Sequence, residues 1–123
     1  TVFKAGAAPS YARRKGKTIK IEKSSLPLGI IQDMEFEKIS LKLFEGDILT
    51  LMSDGAADCP QEVIKEELKK AVTAGIADFS ESLAKKAYQS AKGTGKDDIT
   101  VIGIGIERNR GIDEEQKKDR MVV

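Results

Sequence analysis

The sequence predicts an α+β fold in which mainly antiparallel β-sheets pack with two helices. Several short segments alternate apolar and polar residues, which is the pattern of half-buried strands. Two longer segments, 58–75 and 78–93, instead carry apolar residues at helical spacing. The chain has 123 residues, 40% of them hydrophobic, which fits one domain at most with a modest core.

The first part of the chain is predicted to be strands joined by turns. Residues 1–6 and 10–14 each have the character of a short strand, and the alternation over 18–22 places two isoleucines on one face of a third. The basic run 13–17 forms a hairpin tip, which we interpret as a solvated loop rather than a phosphate contact. A domain rarely begins within a strand, so we expect the sequence to be a piece of a longer chain.

The middle of the chain predicts a second pair of strands. Residues 37–43 alternate, with Ile39, Leu41 and Leu43 pointing inwards. Residues 48–53 are apolar on both faces, which is typical of a central strand that is covered by another layer. Because only the turn at 45–47 separates these segments, the sequence predicts that they form an antiparallel hairpin.

Two helices follow. The first is predicted to begin at Asp58, with Gln61 at capping-box spacing, and to end at Gly75. The second is predicted to begin at Asp78 or Ser80. The apolar residues expected to be buried are Ile64, Leu68, Ala71 and Val72 in the first helix and Leu83, Ala84, Ala87, Tyr88 and Ala91 in the second.

The last predicted strand covers 99–106. Gly103 and Gly105 share one face of it, which indicates that a second layer approaches closely there. Beyond residue 107 the sequence becomes charged and poor in apolar residues. We therefore predict a folded unit over 1–107 and a solvated tail over 108–123.

Composition excludes several classes of site and of protein. The net charge of +1 argues against a dedicated nucleic-acid binder. A single cysteine cannot form an internal disulfide, so a reducing compartment is expected. The absence of histidine excludes the usual zinc sites and Ser-His-Asp triads. Catalysis would have to depend on carboxylates, hydroxyls, lysines or arginines.

Acidic residues stand beside two of the predicted strands. Asp54 follows the strand at 48–53, and Asp97 and Asp98 precede the last strand. If those strands are antiparallel neighbours, these carboxylates share one rim of the sheet, where a hard cation such as Mg²⁺ or Mn²⁺ would offset their repulsion. The alternative is that they only form turns, since Asp-Gly is a common turn pair. Spacing alone favours the turn.

Motifs at these positions resemble the metal-dependent PPM (type 2C) serine/threonine phosphatases. A strand ends in Ser-Asp-Gly at 53–55, helices follow, and Asp-Asp-Ile-Thr at 97–100 opens an apolar strand. Four motifs in order resemble the bacterial sporulation branch of that family: Lys4–Tyr11, Leu26–Ile30, Gly46–Leu49 and Met52–Gly55. The stress-response phosphatases of the same branch usually carry Asn-Ala-Gly-His where Lys-Ala-Gly-Ala stands at 4–7.

The resemblance implies a fold and a metal site. The fold is a sandwich of two β-sheets with helices outside, and two Mn²⁺ or Mg²⁺ ions lie at one end. By position, Asp54 and Asp97 are metal ligands, a one-residue shift would exchange Asp97 for Asp98, and Gly55 keeps the adjacent turn tight. The family's N-terminal half supplies further ligands that have no counterpart here, so the chain is expected to be the C-terminal half of a catalytic domain.

The resemblance also implies a reaction and a substrate. Two metal ions activate a bridging water that attacks the phosphorus of a phosphoserine. The implied substrate is a phosphorylated anti-sigma-factor antagonist, and the implied parent is membrane-anchored with this part in the cytoplasm. We expect the chain alone to be inactive and to self-associate. The alternative hypothesis is a non-catalytic α+β interaction module whose acidic residues are turn formers.

Overall fold

The computed structural model describes residues 2–4, 7–22, 29–30, 32, 37–91 and 97–108. The motif at Leu26–Ile30 and the predicted tail fall largely outside these residues. The described elements, in chain order, are β1 (Val2–Lys4), β2 (Ser10–Arg14), β3 (Lys17–Ile21), β4 (Glu37–Ile39), β5 (Ile48–Met52), α1 (Asp54–Ala57), α2 (Gln61–Ala74), α3 (Ile76–Ser90) and β6 (Val101–Gly105). The α+β class predicted from the sequence is confirmed.

Four strands form one antiparallel sheet in the order β3-β2-β5-β6. The central strand β5 pairs on one side with β2, where Thr50 faces Tyr11, and on the other with β6, where Thr50 faces Gly103. The residues Ile48, Leu49 and Thr50 are all buried. The prediction of a central strand that is buried on both faces is therefore confirmed.

The predicted hairpin between 37–43 and 48–53 is wrong. Only Glu37–Ile39 is a strand, and it pairs with β1 in a separate two-stranded sheet. A strand has two edges, and both edges of β5 are already occupied by β2 and β6. Leu41 and Leu43 still pack against the buried residues of the larger sheet. The alternation of residues 37–43 therefore indicates that one face is buried, but it does not identify the strand with which the segment pairs.

Helices α2 and α3 cover one face of the larger sheet. The core between them includes Ile64 and Leu68 of α2 and Phe79 and Leu83 of α3, each at most 2% exposed. The close approach predicted at the two glycines of β6 is confirmed. A Cβ added at Gly103 would lie 2.6 Å from Ser80 Oγ, and α3 leaves no room for it.

The predicted helix starts are wrong by two to four residues. Helix α2 begins at Gln61, and the carbonyl of Pro60 accepts the backbone N–H groups of Val63 and Ile64. Helix α3 begins at Ile76, directly after Gly75, so Asp78 lies within its first turn. Gly75 has φ 94°, a conformation that favours glycine, and it caps both the end of α2 and the start of α3.

Two residues of the predicted stripes are exposed. Val72 is 63% exposed and Tyr88 is 54% exposed. The buried line of α3 runs instead through Phe79, Leu83 and Ala87, which are spaced four residues apart. Tyr88 lies one residue further round the helix and is therefore about half exposed.

A buried carboxylate joins the two long helices. Glu67 of α2 is 3% exposed, accepts a 2.6 Å hydrogen bond from Ser82 Oγ, and forms ion pairs with Lys86 and Lys70. Burial alone would raise the pKa of Glu67. The hydrogen bonds from Lys86, Ser82 and Lys70 outweigh it and lower the pKa to about 2. The sequence pattern gave no sign of this link.

The opposite face of the sheet is apolar and partly open. Ala12, Ile21 and Leu49 are buried there, and Leu51 and Ile104 pack against them. At its margins, Ile19 is 47% exposed and Ile102 is 50% exposed. An exposed apolar face of this kind would favour the self-association that the sequence analysis predicts for the chain.

Candidate functional site

The three candidate acidic residues lie at one rim of the larger sheet. Strands β5 and β6 are antiparallel neighbours, with Met52 facing Val101. Residues that follow Met52 therefore lie beside residues that precede Val101. Asp54 is the first residue of α1, and Asp97 and Asp98 lead into β6. The two strands are antiparallel neighbours, so the three carboxylates share one rim, as the sequence analysis predicts.

Ser53 ties the two sides of this rim together. Its backbone N–H donates to the carbonyl of Thr100 at 3.0 Å, and its hydroxyl donates to the carbonyl of Asp98 at 3.1 Å. The same hydroxyl accepts the N–H of Thr100 at 2.9 Å. These bonds extend the β5–β6 pairing past the last strand residues, so the backbone that carries the carboxylates is held on both sides.

Gly55 is a steric requirement of the rim. The residue is buried, and a Cβ added to it would lie 2.6 Å from the carbonyl oxygen of Asp98 and 3.1 Å from Cβ of Asp97. Real Cβ atoms do not approach backbone oxygen that closely. Glycine is therefore needed to bring the segment 97–98 against the start of α1, of which Gly55 is the second residue.

The carboxylates face solvent with few partners. Asp54 Oδ1 accepts the N–H of Gly55 and Asp97 Oδ1 accepts the N–H of Asp98, both at 3.1 Å. Asp54, Asp97 and Asp98 are all exposed. No lysine or arginine within the described ranges forms an ion pair with any of them. Their negative charge is not neutralised by that part of the chain.

The donor chemistry of the rim suits a hard divalent cation, but its ligands are incomplete. Carboxylate oxygens are the ligands that Mg²⁺ and Mn²⁺ prefer. Among the described residues, however, no group of three or more His, Cys, Asp or Glu side chains could hold a metal ion. Asp54 and Asp97 therefore offer at most two of the carboxylates that such a cation would need.

A groove of about 530 Å³ opens directly beside the rim. The C-terminal half of α3 forms one wall, with Lys85, Tyr88 and Gln89, and the carboxylates of Asp97 and Asp98 stand on the other. The sequence predicts that Tyr88 is buried, whereas the structure places it in this groove. Ser53 was also not singled out by itself, although it belongs to the Ser-Asp-Gly motif that located Asp54.

Comparison with known proteins identifies the family to which the chain is similar. The family model described as Stage II sporulation protein E (SpoIIE) matches residues 1–107. Stage II sporulation protein E from Bacillus subtilis (strain 168) is 31% identical over 113 residues, which cover 87% of this chain. The phosphoserine phosphatase RsbU from the same organism is 27% identical over 95 residues, which cover 73% of this chain.

The fold is shared with a solved structure from the same family. The phosphatase domain of the cell fate determinant SpoIIE from Bacillus subtilis, presoaked with Mn, superposes with a TM-score of 0.65 and 30% identity. The match covers 87% of this chain and 50% of that domain. The chain spans only 14% of the full sporulation protein and 28% of RsbU, so it corresponds to a part of each.

Proposed function

The chain belongs to the family of stage II sporulation protein E, and we propose that it supplies one part of the active site of a metal-dependent phosphoserine protein phosphatase. One observation carries the proposal: Ser53 and Gly55 bring Asp54 and the segment 97–98 together at one rim. The relatives that match this chain include a protein named as a phosphoserine phosphatase and a solved phosphatase domain. Turn formation alone would not require the two segments to meet.

The proposed ligands from this chain are Asp54 and Asp97. Cβ of Asp97 lies next to Gly55, whereas Asp98 presents its backbone carbonyl to Gly55 and to Ser53. This arrangement favours Asp97 over Asp98 as the second ligand. The proposed cations are Mn²⁺ or Mg²⁺, two of them in the complete domain. When bound, such ions would activate a water molecule for attack on phosphorus, and they would neutralise the charge that develops on the phosphate.

The chain's own residues would hold and orient the site. The Ser53 hydrogen bonds fix the distance between the two acidic segments, and Gly55 allows their close approach. Ligands that are already in position need no rearrangement during the reaction, and a scaffold of this kind increases the rate for that reason. Two carboxylates cannot satisfy two ions, so the 123-residue chain alone is expected to show no appreciable phosphatase activity.

The proposed substrate is a phosphorylated anti-sigma-factor antagonist. Removal of its phosphate would let it displace a sigma factor from its inhibitor and so switch transcription during sporulation. The support is membership of the sporulation family, together with the similarity to RsbU. We also propose a membrane-anchored parent with this part in the cytoplasm. Within the described residues, no helix has the length and apolar character to cross a bilayer.

A titration of Mn²⁺ into the intact protein separates the enzyme from a non-catalytic interaction module. Calorimetry should show stoichiometric binding, and Asp54→Asn should weaken it because a charged ligand becomes a neutral one of the same size. Asp78→Asn is the control, since Asp78 is exposed in the first turn of α3 and not at the rim. Wild-type protein that binds no Mn²⁺ would favour the module, in which the acidic residues only form turns.

A further inference from the structure

An exposed aromatic residue lies in the groove beside the carboxylate rim. Tyr88 is 54% exposed near the end of α3, whereas its neighbours Leu83 and Ala87 are almost fully buried. Metal binding and phosphate hydrolysis require only the acidic side of the groove. Tyr88 is thus an exposed aromatic side chain in the groove that the proposed metal chemistry does not use.

We propose that this groove binds the polypeptide next to the phosphoserine and that Tyr88 is its main specificity contact. This inference rests on the proposed phosphatase function. The phosphate is the same in every phosphoserine substrate, so any preference among proteins must come from the residues around it. Because Asp97 and Asp98 belong both to the rim and to the groove, a peptide held at the rim has its flanking residues at this wall.

The size of the groove suits a short peptide segment. The groove has a volume of about 530 Å³ and is largely open to solvent, so an extended segment could lie along it. A chain advances about 3.3–3.6 Å per extended residue, so positions one or two residues from the phosphoserine lie within reach. The proposed occupant is thus the immediate flank of the phosphoserine, not a distant docking domain.

The side chains of the wall indicate what kind of residue they would bind. Tyrosine presents a flat apolar ring with a polar tip, and it is enriched among residues that dominate binding energy. Gln89 offers an amide that can pair with peptide backbone. The Lys85 amine already pairs with Glu81 at 2.6 Å, so it adds little net positive charge. An apolar flanking side chain fits this wall better than an acidic one, which would face Asp97 and Asp98.

Two substrates separate the role of Tyr88 from the chemistry at the rim. The intact protein is assayed with para-nitrophenyl phosphate, which has no peptide flank, and with a phosphoserine decapeptide that carries leucine two residues after the phosphoserine. Tyr88→Ala should raise the KM for the peptide roughly tenfold and leave its kcat within about threefold. The kcat/KM for para-nitrophenyl phosphate should stay within about twofold. Tyr88→Phe should retain most of the peptide preference.

Binding without turnover supplies an independent readout. In an Asp54→Asn background, fluorescence anisotropy should show that Tyr88→Ala weakens peptide binding by the same roughly tenfold factor. Val72→Ala is the matched control, because Val72 is similarly exposed but lies on α2 outside the groove.

Two results would overturn the proposal: unchanged peptide binding in Tyr88→Ala, or an equal loss for both substrates. If wild-type protein hydrolyses neither substrate, the phosphatase function fails, and the anisotropy measurement still decides whether the groove binds the peptide.

Discussion

The hydroxyl of Ser53 donates a hydrogen bond to the backbone carbonyl of Asp98, 45 residues further along the chain, at 3.1 Å. It accepts another from the N–H of Thr100 at 2.9 Å. A single small side chain thus connects the segment that carries Asp54 with the segment that carries Asp97. The candidate site depends on this connection because Asp54 and Asp97 lie on different segments that these hydrogen bonds hold together.

Gly55→Ala should abolish most activity of the intact protein while it leaves the fold in place. The new Cβ would lie 2.6 Å from the Asp98 carbonyl oxygen, so the 97–98 segment must move away from Asp54. A displacement of about 1 Å at a catalytic group can cost on the order of 100-fold in rate. Phosphate release from a phosphoserine protein measures the loss, and circular dichroism checks the fold.

Ala57→Gly in the same short helix is the control for that variant, because it removes an atom and adds none. It should keep activity within a few-fold of wild type. If Gly55→Ala retained wild-type turnover, the close approach of the two segments would have no part in catalysis.

Gly103→Ala should destabilise the protein without direct effect on the rim. Its Cβ would meet Ser80 Oγ at 2.6 Å and Ile76 Cγ2 at 3.0 Å, both in α3. Overpacking of this kind costs about 1–3 kcal/mol of unfolding free energy. Urea denaturation gives the value. Adding Ser80→Ala should recover part of it by removing the nearest atom, and full stability of the single variant would show that α3 lies further from β6 than described.

Replacement of Glu67 should make stability less dependent on acid pH. The pKa of Glu67 is lowered from 4.5 to about 2, so the ion pairs stabilise the fold fully above pH 4.5 and lose their effect as pH falls towards 2. Glu67→Gln should cost on the order of 2–3 kcal/mol at pH 7. The difference from wild type should shrink below pH 4.5.

Denaturation curves at several pH values between 7 and 2 test this dependence. Glu45→Gln is the control, because Glu45 is exposed in the turn before β5 and forms no ion pair within the described part of the chain. A constant difference between wild type and Glu67→Gln across that pH range would contradict the lowered pKa.

The 123-residue chain should self-associate when purified alone. The sheet face opposite the helices carries Ile19 and Ile102 at 47% and 50% exposure, beside the partly buried Leu51 and Ile104. Open apolar faces and strand edges promote pairing with a second copy. Light scattering at micromolar concentration should show dimers or larger species. A clean monomer that persists for days would show that this face needs no cover.

The strands and the rim could be predicted because local patterns determine them. The two-sided apolar character of 48–53 located the central strand, and the positions of Asp54 and Asp97 beside two predicted strands placed them at one rim. The pairing of β4 could not be predicted, because alternation shows which face is buried and does not identify the neighbouring strand. Adjacency in sequence suggested the wrong partner.

Details that depend on three-dimensional packing were also missed. Helical spacing placed Tyr88 beside the core residues, but the position of β6 relative to α3 decides which side of the helix is covered. Phe79 is buried against the sheet, whereas Tyr88 is exposed in the groove. The link from Glu67 to Lys86 joins residues that are 19 positions apart on two helices, and no local pattern predicts such a contact.

The most direct test of the central claim is phosphate release by the intact protein and by its Asp54→Asn variant as Mn²⁺ is raised. Wild-type protein should hydrolyse the phosphoserine protein only when Mn²⁺ or Mg²⁺ is present. Asp54→Asn should lose at least about 1,000-fold in rate, which corresponds to roughly 4 kcal/mol of transition-state stabilisation. Near-normal turnover by a folded Asp54→Asn protein, or metal-independent hydrolysis by wild type, would contradict the account.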